Sequence, residues 1–382
     1  MPYFERIVSQ AIRDSIGKGQ QVTIIYGPRQ SGKTTLIKHI VGEASKDVYY
    51  ATGDDLFAQQ LFSRHEWAFL ERELGNARTI VIDEAQKIDN IGLTLKLLVD
   101  RGGYTVIASG SASFDLSQKL NEPLTGRTNT FHLFPLLYQE IQEQYRGVST
   151  DIQLEECLLY GMYPRIHTIR DKREKEQYLS EYLNTYLYKD ILTLETVRKP
   201  QKVVDLLTLL ALQLGSEVSV AELARTLSIG HGVVERYLDL LEKMFIIVPL
   251  RGFSRNLRKE VSKMPKYYFV DIGIRNALIK NFNPLALRDD VGALFENWFI
   301  VEVYKSHLMH RRGANRYFWR TYNQEEVDFV VERDGILSGY ECKWSPKSKE
   351  TPPKSWTSTY PNATYEVVHR DNVREILDRL EQ

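Results

Sequence analysis

Apolar positions follow three different rhythms along this chain. Through roughly the first 145 residues, short β-branched runs such as VTIIY (22–26), TIVID (79–83) and YTVIAS (104–109) alternate with helix-like segments. That alternation predicts an α/β domain. From about 150 to 250 the rhythm is almost wholly helical, with YLSEYLNTYLYKDIL and KVVDLLTLLALQLG spaced to bury apolar stripes. After about 265 strand-like runs return, NFNPLALRDD (281–290) reads as a linker, and KETPPKSWTSTYPN (349–362) reads as a Pro- and Ser/Thr-rich loop. The pattern predicts three domains, 1–145, 146–280 and 281–382, each large enough for its own core.

Composition narrows the function classes. In 382 residues, 50 Lys and Arg balance 50 Asp and Glu, so no global field draws the chain to nucleic acid or membrane, and any basic surface must be local. Two cysteines, Cys157 and Cys342, are too few for a disulfide framework or a cysteine-rich zinc site and fit a reducing cytoplasm. The first residues carry scattered charges and no apolar leader core, and the most apolar stretch is interrupted by Asp205 and Gln213, so the expectation is a cytoplasmic protein with no membrane segment.

The strongest chemical signal is VTIIYGPRQSGKTTLIKHI. An apolar strand runs into Gly27, Pro28, Arg29, Gln30, Ser31, Gly32, Lys33, Thr34 and Thr35, and an amphipathic helix follows. Glycines let backbone N–H groups curl around phosphate oxygens, the helix N-terminus adds positive potential, and Lys33 reaches the β and γ phosphates of ATP. The Thr34 hydroxyl would ligate Mg²⁺. TIVIDEAQ supplies the second motif: Asp83 would hold Mg²⁺ through water, and Glu84 would orient or deprotonate the attacking water. The third strand ends in SGSAS, where Ser109 is a candidate sensor of phosphate state and Ser111 its competitor. The plain alternative is a strand entering a Ser/Gly turn.

Taken in order, GPRQSGKTTL, VIDEAQKI, ASGSAS, LTGR (124–127) and LFPLLYQE (133–140) resemble the bacterial and archaeal AAA-type ATPases that carry a C-terminal domain of unknown function. GMYPR (161–165), YLYKDI (186–191), FVDIGI (269–274) and ALFENW (293–298) extend the resemblance over nearly the whole chain. It implies an AAA-type core able to form a homo-oligomer, with Arg127 a candidate to contact nucleotide bound by its own subunit or a neighbour. A structural ion pair is the alternative for Arg127.

SVAELARTLSIGHGVVERYLDLLEKMFIIVPLRGF has a winged-helix layout: short helix, glycine turn, longer helix, strands. Val234, Leu238 and Leu241 form one stripe, simply read as core. The outward face mixes Glu235, Asp239 and Glu242 with Arg236 and Lys243, a poor surface for reading bases in a major groove. The following segment sets Arg251, Arg255, Arg258, Lys259, Lys263 and Lys266 against one acid, Glu260, which predicts DNA phosphate contacts without sequence preference. A solvated wing or a dock for an acidic partner is the alternative.

In EVDFVVERDGILSGYECKW (326–344), Glu341 and Lys343 share one strand face, and a turn at Asp334-Gly335 can bring Asp328 alongside them. Two such carboxylates suit Mg²⁺ or Mn²⁺, and the Lys343 ammonium could stabilise charge developing on a phosphodiester. Glu296, on the helix VGALFENWFIVEVYKSH, would complete the acidic cluster. Helix Glu, strand Asp, then Glu-x-Lys resembles the PD-(D/E)xK nucleases, which implies a restriction-endonuclease-like α/β domain, and the basic, aromatic HLMHRRGANRYFWR suits a nucleic-acid channel. Glu-x-Lys is also an ordinary ion pair, and a retained fold need not cut. Two functions follow: an ATPase that engages and cleaves DNA, or an ATP-dependent switch or scaffold whose C-terminal fold only binds nucleic acid or protein.

Overall fold

The computed structural model describes residues 3–18, 21–42, 47–111, 124, 126–188, 191, 199–254, 264–347 and 351–380, with the Tyr186 side chain excluded. The chain folds as two units, one of Met1–Leu136 with Lys243–Phe245, and a second of Leu137–Glu242 with Ile246–Gln382.

The first unit contains α1 (Val8–Lys18), β1 (Val22–Tyr26), α2 (Lys33–Val41), β2 (Val48–Thr52), α3 (Leu56–Ser63), α4 (Trp67–Leu74), β3 (Thr79–Asp83), α5 (Ile91–Asp100), β4 (Thr105–Gly110) and β5 (Thr128–His132). Its strands form one parallel sheet in the order β2-β3-β4-β1-β5. All five residues of β1 are buried, as expected of a central parallel strand covered on both faces. Ile24, Ile80, Ile82, Val106 and Ala108 from the strands join Phe62, Leu70, Leu95 and Leu98 from α3, α4 and α5 in one core. Because the strands are parallel, the ends of β1, β3 and β4 meet at one sheet edge, where Gly27, Glu84 and Ser111 begin the loops.

The second unit contains α6 (Thr150–Tyr160), α7 (Lys172–Tyr182), α8 (Pro200–Leu212), α9 (Val220–Leu227), α10 (His231–Lys243), β6 (Ile247–Gly252), β7 (Lys266–Phe269), α11 (Ile272–Leu278), α12 (Val291–Met309), β8 (Asn315–Arg320), β9 (Glu326–Arg333), β10 (Ile336–Cys342), α13 (Lys354–Thr359), β11 (Thr364–Val368) and α14 (Val373–Leu380). Its sheet runs β11-β10-β9-β8-β6-β7. The turn joining β9 to β10 is the tight one the sequence predicts: Ile336 pairs with Arg333, and Asp334 and Gly335 have φ of 53° and 79°.

The expected boundary near 281 falls inside the second unit. β6 lies parallel to β8, with Arg251 opposite Tyr317 and Gly252 opposite Phe318, so the β6–β7 hairpin extends the C-terminal sheet. Side-chain clasps complete the join. Asn297 exchanges two hydrogen bonds of 2.8 Å with the Phe269 backbone, fixing α12 against β7. Asp271 caps α11 through the Ile274 amide at 3.2 Å and also accepts from the Met162 amide at 2.6 Å. Asn276 donates to the carbonyls of Leu158 and Leu159, both at 2.9 Å. FENW, FVDIGI and GMYPR therefore tie the helices of this unit to its sheet.

Candidate functional site

At the edge of the first sheet, the chain from Gly27 to Gly32 turns back on itself before α2 begins at Lys33. Gly32 sits at φ 98°, a conformation that costs other residues a Cβ clash. Gln30 is also left-handed, at φ 61°. The Lys33 ammonium is buried inside this curve, donating to the carbonyls of Gly27 at 2.8 Å and Pro28 at 3.0 Å. Arg6 braces the loop from outside: its guanidinium donates to the Ser31 carbonyl at 2.8 Å and the Phe134 carbonyl at 2.7 Å.

Asp83 closes the site from β3. Thr34 Oγ1 donates to its Oδ2 at 2.5 Å, Tyr50 Oη donates to the same oxygen at 2.9 Å, and Ser109 Oγ donates to Oδ1. Burial, then the Asp83 charge, raises the Tyr50 pKa, so Tyr50 stays a neutral donor. Ser109 also accepts from the Glu84 amide at 3.3 Å, whereas Ser111 donates to Glu84 Oε2 at 3.3 Å. The two serines thus divide the acidic pair: one holds Asp83, the other Glu84.

Glu84 adopts φ 50°, ψ 41°, a left-handed backbone that is uncommon for a residue with a Cβ and here lifts its carboxylate off the end of β3. Gln86 Nε2 donates to Glu84 Oε2 at 2.6 Å and to Ser111 Oγ at 3.0 Å. Gly53 lies against this bend, since a Cβ on it would stand 2.3 Å from the Glu84 carbonyl oxygen. Arg6, Tyr50, Gly53 and Gln86 were not among the sequence candidates. For Gln86 a signal existed, its place in DEAQ directly after the acidic pair; the others come from distant segments.

The donor set fits Mg²⁺. A hydroxyl and a carboxylate, both hard oxygen ligands, converge between Thr34 and Asp83, and Mg²⁺ characteristically takes one or two protein oxygens together with nucleotide phosphates and water. Bound there, the ion would neutralise charge on the phosphates.

Arg127 is placed differently. Its carbonyl accepts from the Val22 amide at 2.8 Å, at the start of β1, and the phosphate loop follows the other end of that strand, about 13 Å further on at ~3.3 Å per residue. The guanidinium pairs with Asp100 at 2.9 Å. Within the chain, Arg127 therefore makes the ion pair that the alternative reading gives it, at the strand end away from the phosphate loop.

In the second unit, the β9–β10 register reaches Tyr340 opposite Phe329, so Asp328 and Glu341 are the next residues along each strand. Asp328 accepts from the Cys342 amide at 2.8 Å and Lys343 pairs with Glu341 at 2.8 Å. Glu296 accepts from Tyr268 Oη at 2.6 Å. Burial and then the Asp328 charge raise the Glu296 pKa, while burial raises that of Asp328. The four residues expected to assemble lie in one neighbourhood.

A fifth arrives with them, and it corrects an expectation. The sequence reading makes Lys266 a DNA phosphate contact; it is 3% exposed, with its ammonium 2.6 Å from Glu326 and 3.6 Å from Glu296. β7 buries it because that strand packs under α12. Burial works to lower its pKa, but Glu296 and Glu326 outweigh this and hold it raised, so it remains charged. Of the other wing residues, Arg251 is exposed on β6, and Arg255, Arg258, Lys259 and Lys263 lie outside the described residues. Among the described residues, no group of three or more His, Cys, Asp and Glu side chains is arranged to hold a metal ion. Asp328 and Glu341, the pair expected to hold a metal, thus stand in a cluster that already contains the Lys266 ammonium. No described helix is long and apolar enough to cross a membrane.

Comparison with known proteins accounts for each segment. A family model described as an AAA domain matches residues 19–142, one described as a domain of unknown function (DUF8612) matches 151–285, and another, a domain of unknown function (DUF4143), matches 291–380. The uncharacterized protein Rv2008c of Mycobacterium tuberculosis is 31% identical over 327 residues, spanning 84% of this chain and 70% of that protein. MJ1544 of Methanocaldococcus jannaschii, also uncharacterized, is 24% identical over 352 residues, 86% of this chain and 77% of that protein. Among solved structures, the Walker-type ATPase PABY2304 of Pyrococcus abyssi shares the fold with a TM-score of 0.52 and 17% identity, covering 72% of this chain and 96% of that one. With its phosphate loop, its Thr34–Asp83 contact and an AAA domain over residues 19–142, the chain is an AAA-type ATPase, and it belongs to one family with the uncharacterized Mycobacterium tuberculosis protein Rv2008c.

Proposed function

We propose that this chain is a cytoplasmic ATPase whose nucleotide cycle governs how its second unit engages DNA. The observation that carries the reading is the convergence of Glu296, Asp328, Glu341 and Lys343 in one neighbourhood of that unit, in the order resembling PD-(D/E)xK nucleases. The order α9, turn, α10, then the β6–β7 hairpin supports a winged helix, and Arg251 on β6 offers a phosphate contact. Arg127 lies at the strand end away from its own phosphate loop, so in this reading it acts on ATP in a homo-oligomer, with the guanidinium leaving Asp100 for a neighbour's γ-phosphate.

One observation favours a second reading, in which the C-terminal fold binds nucleic acid or protein without cutting. Lys266 occupies the cluster as an internal cation, already paired with Glu296 and Glu326. A cleavage assay with single-stranded, duplex and branched DNA, with Mg²⁺ or Mn²⁺ and with or without ATP, separates the two. Cleavage lost in Lys343→Ala with ATP hydrolysis intact supports the enzyme. Cleavage of no substrate by wild type, with DNA still bound, leaves the binding reading.

A further inference from the structure

A cleft of about 200 Å³ opens between β6, β8 and α12, lined in part by Leu250, Arg251, Tyr268, Tyr304, Arg316 and Tyr317. Arg316 is its unusual member. Its Nη1 nitrogen is buried and meets no hydrogen-bond acceptor, and among the described residues the side chain makes no ion pair. The guanidinium lies over the Tyr304 ring at 4.8 Å. Burial lowers its pKa, and the group that opposes this is the Tyr304 phenol rather than a carboxylate. Proteins rarely leave a desolvated cationic donor without an acceptor, because the lost hydrogen bond is not recovered elsewhere.

The surroundings favour an anionic, flat ligand. Arg251, exposed on β6, stands on the same cleft and adds a second guanidinium. Asn315, whose amide donates to Glu332 at 3.1 Å, lines it as well. Arg312, Arg316 and Arg333 all work with burial to hold His307 neutral, with a pKa lowered to about 4, so the local field is positive. Forked N–H donors match phosphate oxygens, and the partly exposed Tyr317 ring on the cleft offers a surface for a base.

We infer that this cleft is a nucleotide-unit site, in which Arg316 and Arg251 grip a phosphate and the tyrosine-lined wall receives its base. The phosphate comes either from a DNA strand, which rests on the DNA-engaging reading above, or from a free nucleotide, which does not.

The test uses the full chain carrying Lys33→Ala, which should weaken nucleotide binding at the phosphate loop. A fluorescent fifteen-residue oligothymidylate is titrated by anisotropy at several salt concentrations, and thymidine monophosphate by calorimetry. The strand arm is supported if Arg316→Gln weakens oligonucleotide binding about tenfold and lowers the salt slope by about one, with Arg333→Gln, a matched charge change outside the cleft, unaltered. The free-nucleotide arm is supported if the monophosphate binds the parent and Arg316→Gln abolishes it. Should Arg316→Gln melt early, Arg251→Gln, an exposed change, supplies the same two readings. If the parent binds the oligonucleotide and both variants match it, the cleft assignment fails while the DNA reading stands. A parent that binds no oligonucleotide but binds the monophosphate through Arg316 refutes the DNA reading alone. Binding of neither ligand overturns the cleft.

Discussion

Thr34 Oγ1 donates to Asp83 Oδ2 across 2.5 Å, joining the end of the phosphate loop to the end of β3. This contact makes one site of two motifs that stand far apart in the chain. Lys33→Ala should weaken nucleotide binding. Glu84→Gln should keep binding while slowing turnover on the order of 100- to 10,000-fold, the usual range for a lost general base. Equilibrium binding of a fluorescent ATP analogue, with phosphate release, measures both; unimpaired turnover in both variants would refute the assignment.

Ser109 and Ser111 should separate. Ser109→Ala removes a donor to the buried Asp83 carboxylate and should cut turnover roughly tenfold, the scale of one hydrogen bond to a charged group. Ser111→Ala frees one contact to Glu84 and should cost less. Equal effects would mean that neither serine reports on Asp83 specifically.

Gly53 should tolerate no side chain. A Cβ there would sit 2.3 Å from the Glu84 carbonyl oxygen, a backbone atom that moves only by carrying Glu84 with it. Gly53→Ala is therefore expected to lower turnover on the order of 100-fold, as misplacement of a reacting group by about 1 Å can do. Gly17→Ala, with nothing within 4 Å, is the control and should leave turnover unchanged.

Lys266→Met should destabilise the second unit by about 3–5 kcal/mol, because it strands Glu326 and Glu296 without their shared cation. Adding Glu326→Gln should recover part of that loss, giving a coupling measurable in urea titrations. Purely additive effects would show that the ion pair contributes nothing beyond its separate charges.

His167 should make the second unit acid-sensitive. Burial, aided by the Lys175 charge, lowers its pKa from 6.5 to about 3, and the side chain contacts Tyr145 Oη at 3.1 Å. The unfolded chain thus binds a proton that the folded chain refuses between those values. Stability from this group is complete above pH 6.5 and falls steadily as pH drops towards 3. His167→Gln should flatten that part of the stability–pH curve; a slope equal to wild type would place the titration elsewhere.

The sequence alone determined whatever depends on residues close together in the chain. The phosphate loop needs Gly27, Gly32, Lys33 and Thr34 in one short run, the β9–β10 turn needs Asp334-Gly335, and β1 must be uniformly apolar because a central parallel strand has no solvent face. Those local demands are legible one residue at a time. Tertiary structure decided what distant segments bring. Lys266 looked like one more charge in a basic run, yet a strand buried beneath α12 delivers it to Glu296 and Glu326. Arg127 reads as either a nucleotide contact or an ion pair, and strand direction places it at the far end of the sheet beside Asp100. Arg6, Tyr50 and Gly53 reach the nucleotide site from separate segments with no motif to announce them. Periodicity says which face of an element is buried; only packing says against what.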